Sequence, residues 1–156
     1  MNWDAISAIA EVLGMAAVVV SVLYLAVQVR RQTKEIRTAA IHETTQNYTE
    51  AVTPYLDPQL ADLWARGTQD FESLTDGERI QMISAFTINL RSFQDAFYQA
   101  EAGRLDADVW QGIVNFYAAV LSTPGASRIW ELRKSSYSRR FQEFADAIER
   151  TSYEIS

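Results

Sequence analysis

The chain has 156 residues, of which 48% are hydrophobic and 22% are charged, a balance typical of a folded protein. It contains no cysteine, which excludes disulfides, thiol nucleophiles and cysteine-ligated metals, and its one histidine excludes a histidine-rich metal site. The 20 acidic residues outnumber the 14 basic ones, and the net charge of −6 has the wrong sign for a general nucleic-acid binder.

The first predicted element is a membrane-spanning helix. Residues 12–29 carry no charge, and extending the run back to residue 6 adds only Glu11. A helix over residues 6–29 would be about 36 Å long, enough to cross a hydrocarbon core of about 30 Å. A buried core helix is usually shorter, and a cleavable signal peptide usually begins with basic residues, which are missing here. The run therefore predicts a single-pass anchor.

Four basic residues follow the apolar run at once, whereas no lysine or arginine precedes it. We call this group the basic collar; it consists of Arg30, Arg31, Lys34 and Arg37. Because short segments rich in lysine and arginine remain in the cytoplasm, the N-terminus is expected outside and the C-terminal part inside. The collar can also attract anionic lipid headgroups. The predicted division is a transmembrane anchor, residues 1–29, and a cytoplasmic α-helical domain, residues 30–156.

Small and polar residues recur on one face of the predicted spanning helix. This polar seam consists of Ser7, Glu11, Gly14, Ser21 and Gln28. Four of them are spaced by seven residues, and Glu11 occupies an intervening position of the same face. Membrane helices associate through such residues because lipid offers no hydrophobic drive for association. The seam therefore predicts contact with a second copy or with another membrane protein.

Glu11 leaves a second interpretation open. In a symmetric oligomer, a ring of Glu11 carboxylates above Ser21 and Gln28 could line a cation pathway. Glu11 also lies near the outer interface, where its side chain can reach water and suits the N-terminal region of a helix. The simpler interpretation is an interfacial glutamate.

The rest of the chain predicts helices, since apolar residues recur at spacings of three and four. The first helix is expected to continue past the collar, because no glycine or proline occurs before Pro54. Asp57 and Pro58 are typical of a helix start, and Thr75 with Glu78 forms a capping box. The following helix has a predicted core stripe of Ile83, Phe86, Leu90, Phe93 and Phe97.

Further start and stop signals divide the C-terminal half. Gly103 is expected to end one helix, and Asp106 to cap the next, with Leu105 packed on Trp110. Pro124 and Gly125 are expected to end that helix. A short helix and a last one follow, the last with Tyr137, Phe141, Phe144 and Ile148 as apolar residues. The predicted fold class is all-α, an N-terminal transmembrane helix that continues into a small cytoplasmic helical bundle.

Residues that could carry chemistry are few. His42 is expected on a solvated helical stretch, and Arg91 is expected to pair with Asp95, although a buried arginine binding an anion is an alternative. The basic and aromatic residues within 133–141 could face a phosphate, but a solvated helix edge is the simpler interpretation. The chain has no phosphate-binding glycine loop and no GxSxG motif. No catalytic, cofactor-binding or metal-binding residue is expected.

Several stretches resemble a widespread group of uncharacterised small bacterial single-pass inner-membrane proteins. They are ISAIAEVLGMAAVVVSVLYLAVQVRRQTKE (6–35), YLDPQLADLWARG (55–67), LTDGERIQ (74–81), GRLDADVW (103–110) and STPGASRIWELRKSSYSRRFQEFA (122–145). The resemblance covers nearly the whole chain in order. It implies a bacterial inner-membrane location and a helical cytoplasmic domain, but no activity or catalytic residue.

These observations predict a non-enzymatic membrane protein that assembles through its transmembrane helix. It would form a homo-oligomer or serve as an accessory subunit of a membrane complex, with membrane lipids as further partners. The alternative is a homo-oligomeric ion channel or pore lined by the polar seam. A sensor that binds a soluble ligand inside the aromatic bundle is a third possibility.

Overall fold

The computed structural model describes residues 3–153, without the side chains of residues 4–6, 8–10 and 12. This part of the chain contains helices and no strand, so the all-α prediction is confirmed. The helices are α1 (Trp3–Val52), α2 (Pro58–Gln69), α3 (Asp76–Glu101), α4 (Ala107–Ser122), α5 (Pro124–Arg133) and α6 (Arg139–Ala147). Single 3-10 turns occupy Thr53–Leu56, Phe71–Ser73 and Lys134–Ser136.

The chain forms two compact units, Met1–Ala39 and Ala40–Ser156, and α1 runs from the first into the second. The continuation of the first helix past the collar is thereby confirmed. Ala40 is the first α1 residue that is buried in the second unit, which explains where the units divide. The predicted division at residues 29 and 30 concerns membrane crossing rather than packing and stays a prediction.

Most of the predicted helix starts are present with their side-chain caps. The Asp57 carboxylate accepts hydrogen bonds from the amides of Gln59 and Leu60, at 2.9 and 3.2 Å. Thr75 and Glu78 form the predicted reciprocal capping box. Such bonds satisfy amides that have no partner within the first helical turn.

The predicted cap at Asp106 is only partly right. Asp106 occupies the N-cap position of α4, but its side chain makes no capping hydrogen bond. Leu105 and Trp110 belong to one small apolar cluster, in which Leu105 is buried and Trp110 is partly buried, as the prediction requires.

Two glycines mark the predicted helix ends in different ways. Gly103 follows α3 with a φ of +66°, a left-handed conformation that glycine adopts without steric cost. Gly125 lies just after α4 ends, where α5 crosses α2 so closely that a Cβ would stand 1.8 Å from the carbonyl oxygen of Gly67. Both predicted breaks are confirmed, and the second also permits backbone contact between two helices.

The predicted α3 stripe forms the centre of the bundle. Phe86, Leu90, Phe93 and Phe97 are buried, and Ile83 is partly buried against the same cluster. The ring of Phe93 stacks on that of Tyr117 from α4, with 4.0 Å between their centroids. The Tyr117 hydroxyl donates to the backbone oxygen of Asn89 at 2.7 Å, and burial raises the pKa of this phenol. The bundle thus holds an aromatic core in which the buried Tyr117 hydroxyl is paired.

Two local predictions about the bundle were wrong. Arg91 does not pair with Asp95; it donates to Gln94 and to the backbone oxygen of Ser136, at 3.0 Å each. Its guanidinium also lies over the ring of Tyr137, 4.7 Å from the centroid. Tyr137 in turn precedes α6 instead of belonging to it. The chain between α5 and α6 therefore turns back over α3, where Ser136 and Tyr137 supply partners for Arg91.

Candidate functional site: the exposed faces of the first helix

The apolar run of α1 is uncovered by the rest of the described chain. The large apolar side chains from Leu13 to Val29 are between 49% and 65% exposed. One described helix is long and apolar enough to span a membrane, and its most apolar 18-residue window has a mean hydropathy of 1.9 with none of it buried. Uncovered apolar surface of this extent marks a site of contact with a membrane or another protein.

The polar seam lies along this uncovered run. The exposed seam residues are Ser7, Glu11, Gly14, Ser21 and Gln28. Because an α-helix turns about 100° per residue, residues seven positions apart return to within about 20° of the same face. A Cβ at Gly14 would meet no heavy atom within 4 Å, so the backbone there is open to close approach. Over the three heptads from Ser7 to Gln28 these steps add up to about 60°, so the seam turns slowly around α1.

Two seam side chains already make bonds within α1. The Ser21 hydroxyl donates to the carbonyl oxygen of Ala17 at 2.8 Å, and the Gln28 amide donates to the Tyr24 hydroxyl at 2.9 Å. These bonds satisfy one donor in each side chain. The acceptor capacity of the Ser21 hydroxyl and the Gln28 amide oxygen remains available to a neighbouring helix.

The same register continues in the α1 segment of the second unit. His42, Gln46 and Thr49 are exposed there, and the prediction of a solvated His42 is confirmed. Ala40 and Ala51, about half a turn away around the helix, are buried against the bundle. The bundle therefore covers the face of α1 that carries Ala40 and Ala51 and leaves His42, Gln46 and Thr49 free.

All four residues of the basic collar are exposed. Every ion pair among the described residues lies between residues 62 and 146, and none involves the collar. The collar charges are therefore not neutralised by acids of the described chain. This leaves them available to anionic groups in the surroundings.

The segment of basic and aromatic residues within 133–141 has a different environment from the collar. Lys134 lies 2.9 Å from Glu131, and Arg139 lies 3.0 Å from Glu143. Arg140 reaches Glu101 of α3 at 2.6 Å. The aromatic residues of this segment, Tyr137 and Phe141, are buried in the core. Three of its four basic side chains thus pair with acids of the described chain, in agreement with a solvated helix edge.

A cleft that the sequence reasoning missed lies between the C-terminal part of α1 and α4. Its volume is about 280 Å³. The lining residues are Thr44, Thr45, Tyr48, Val109, Gly112, Ile113, Phe116 and Tyr117. The cleft depends on how α1 and α4 pair, which no local pattern reveals. A local signal was Gly112, since glycine is a poor helix former in the interior of a helix.

No three or more aspartate, glutamate or histidine side chains in the described part of the chain are grouped as a metal site would require. Comparison with protein-family models, with curated proteins and with solved structures finds no match to this chain.

Proposed function

We propose that this protein is a non-enzymatic, single-pass inner-membrane protein that assembles through α1. Its apolar run would span a bacterial inner membrane, with the N-terminus outside and the helical bundle in the cytoplasm. The observation that carries the proposal is that the apolar run of α1 is uncovered, since every side chain from Leu13 to Val29 is exposed.

The chemistry of the seam favours association between helices. Gly14 lets two backbones approach closely, and such approach increases van der Waals contact between membrane helices. Ser21 and Gln28 retain acceptors that a neighbouring helix can bind, and interhelical hydrogen bonds of this kind contribute about 0.6 kcal/mol each. The occupant of the seam would be a second copy or another membrane protein, with anionic lipids around the collar.

Native mass spectrometry of the full-length protein in mild detergent tests the proposal. The wild type should give a discrete oligomer, and crosslinking in membranes should give the same ladder. The double variant Gly14→Leu/Ser21→Leu should lose both, because two leucines separate the backbones and remove one hydrogen-bonding group. The matched control is Ala16→Leu/Val19→Leu, which adds bulk on the other side of α1.

Other results would change this conclusion about the seam. A ladder that persists in the seam variant, or that weakens equally in the control, would show that the seam is not the contact. A wild-type monomer that co-purifies with one membrane protein in a seam-dependent manner would favour the accessory role over the homo-oligomer.

A pore is the second candidate, because Glu11 is an exposed carboxylate at the N-terminal end of the apolar run. Carboxylate rings favour cations in channels. Reconstituted liposomes would then show a cation flux that Glu11→Gln reduces. An oligomer without flux, or a flux that Glu11→Gln does not change, would exclude the pore. Neither result would contradict the assembly role.

A further inference from the structure

We infer that the cleft between α1 and α4 is a binding site for a small uncharged molecule that has an apolar body and one hydrogen-bonding group. The site lies entirely within the second unit, so the inference does not depend on membrane insertion or on assembly through the seam. Its volume of about 280 Å³ exceeds the roughly 150 Å³ of a cavity that holds a benzene ring.

The walls of the cleft are apolar and uncharged. Val109, Ile113 and Phe116 line it from α4, and the Tyr48 ring of α1 stands edge-on to Phe116 with 5.5 Å between centroids. No aspartate, glutamate, lysine, arginine or histidine is among the lining residues. A charged ligand would lose hydration without gaining a counter-charge, so the walls favour an uncharged one.

One polar atom of the lining has no partner. Thr44 is only 5% exposed, and its hydroxyl makes no hydrogen bond with any described residue. The neighbouring Thr45 hydroxyl donates to the Ile41 carbonyl oxygen at 2.8 Å, as threonines in helices commonly do. A buried hydroxyl without a partner is costly, and this oxygen presents almost no surface of its own. A ligand with one donor or acceptor would remove that cost once Thr44 turns about χ1 toward the cleft.

Gly112 supplies the space. Glycine is a poor helix former, yet Gly112 lies in the interior of α4. A Cβ at this position would meet no heavy atom within 4 Å, so no described neighbour requires a glycine there. The missing side chain widens the cleft instead. A glycine, an unpartnered hydroxyl and an apolar wall thus meet at one place.

The test uses the full-length protein in phosphatidylcholine nanodiscs, with indole as the probe and indene as its counterpart without the N–H group. Dialysis fixes the aqueous concentration of each compound, which corrects for partitioning into lipid. Methyl resonances of Thr44, Val109 and Ile113 should shift and saturate with indole. Indene should bind about fivefold more weakly, since it cannot bond to Thr44.

Two variants test the space of the cleft and its hydrogen-bonding group separately. Gly112→Leu should abolish the saturable shifts because its side chain fills the cleft, whereas the control Gln111→Leu adds a leucine to α4 outside the lining and should bind as the wild type does. Thr44→Val should raise the melting temperature and bind the two compounds equally. Unperturbed methyl resonances of Val120 in the core would show that each variant is folded.

Three results would overturn the inference. They are an absence of saturable shifts with indole in the wild type, shifts that persist in Gly112→Leu, and equal binding of indole and indene by the wild type.

Discussion

Glu78 combines two structural roles in one side chain. Its carboxylate accepts from the Thr75 amide at 2.9 Å, closing the capping box of α3, and from Arg66 of α2 at 2.7 Å. The Arg66 guanidinium, followed by the bonds from Thr75, lowers the pKa of Glu78 from its ordinary value of 4.5 to about 2. One carboxylate therefore ties the start of α3 to the preceding helix.

This lowered pKa predicts an acid-dependent loss of stability. The ionised form of Glu78 is favoured in the folded state, so its contribution is present above about pH 4.5 and is lost as the pH falls toward 2. Glu78→Gln should lower the melting temperature at pH 7, and the difference from the wild type should close near pH 2. Circular dichroism melts between pH 7 and pH 2 measure this. The control is Asp76→Asn, an acid of the same first turn for which the described residues show no ion pair. A difference in melting temperature between Glu78→Gln and the wild type that stays constant with pH would contradict the prediction.

Gly125 predicts a steric loss of stability. A Cβ there would stand 1.8 Å from the Gly67 carbonyl oxygen, and backbone atoms cannot move aside as a flexible side chain can. Gly125→Ala should therefore reduce the free energy of unfolding by about 2 kcal/mol or more. Gly77→Ala is the matched control, since Gly77 is also the second residue of a helix but has open space around its Cβ position. Equal urea midpoints for the two variants would argue against close packing of α2 and α5.

Single residues were predictable where their partners are close in sequence. The Thr75–Glu78 box and the Asp57 cap depend on amides two or three residues away, and both were predicted. The bond from Arg91 to the Ser136 oxygen was not predicted, because Ser136 lies 45 residues further along the chain. A local pattern cannot show which distant carbonyl will be placed within reach.

At the scale of elements, α1 is a helix with two different environments. Its long extension past the collar was predicted from the absence of helix breakers, and the α3 stripe was predicted from its spacing. The pairing of α1 with α4, which creates the Thr44 cleft, was not predicted. Periodicity shows that a face is apolar, but it does not show which other element covers that face.

The collar of α1 predicts a preference for anionic lipid. Each base contributes about 1 kcal/mol near an anionic surface, and in the described chain no acid neutralises the collar. Native mass spectrometry from mixed nanodiscs should show bound phosphatidylglycerol in excess of phosphatidylcholine. Replacing Arg30, Arg31, Lys34 and Arg37 by glutamine should abolish the excess.

The collar prediction has an internal control and a salt test. Substituting glutamine for Arg104, Arg133 and Arg139, exposed bases of the bundle, should leave the lipid ratio unchanged. Raising the salt from 0.1 M to 1 M shortens the screening length from about 10 Å to about 3 Å, and the excess should fall. If the excess of phosphatidylglycerol persists both with glutamines in the collar and at 1 M salt, the headgroups bind elsewhere on the protein.

At the scale of the whole molecule, charge is distributed in three blocks along the chain. Residues 1–29 carry two acids and no base, the segment 30–37 carries four bases and one acid, and residues 38–156 carry a net charge of −7. The acidic bundle is repelled by an anionic lipid surface, whereas the collar is attracted to it. This order favours a bundle held in the aqueous phase beside a collar at the membrane surface.

The charge order predicts the orientation of the chain in the membrane. Positive residues follow the apolar run and none precedes it, so the bundle should lie in the cytoplasm. The natural chain has no cysteine, so one cysteine at a time can be introduced and labelled without background. Asn2→Cys should react with a membrane-impermeant maleimide in intact spheroplasts, whereas Ser152→Cys should react only after the membrane is opened.

Reversing the charge order gives the strongest form of this experiment. Moving the four bases before the apolar run, with glutamines in the collar, should invert the labelling pattern or leave a mixture of orientations, because the bias of lysine and arginine sets the direction of insertion. The positions of Ser7 to Gln28 are unchanged by this exchange, so the seam is preserved. If Ser152→Cys reacts in intact spheroplasts of the natural chain, the bundle faces outward and the collar does not set the topology. Cleavage of the N-terminal run, visible as a smaller mass, would instead identify it as a signal sequence.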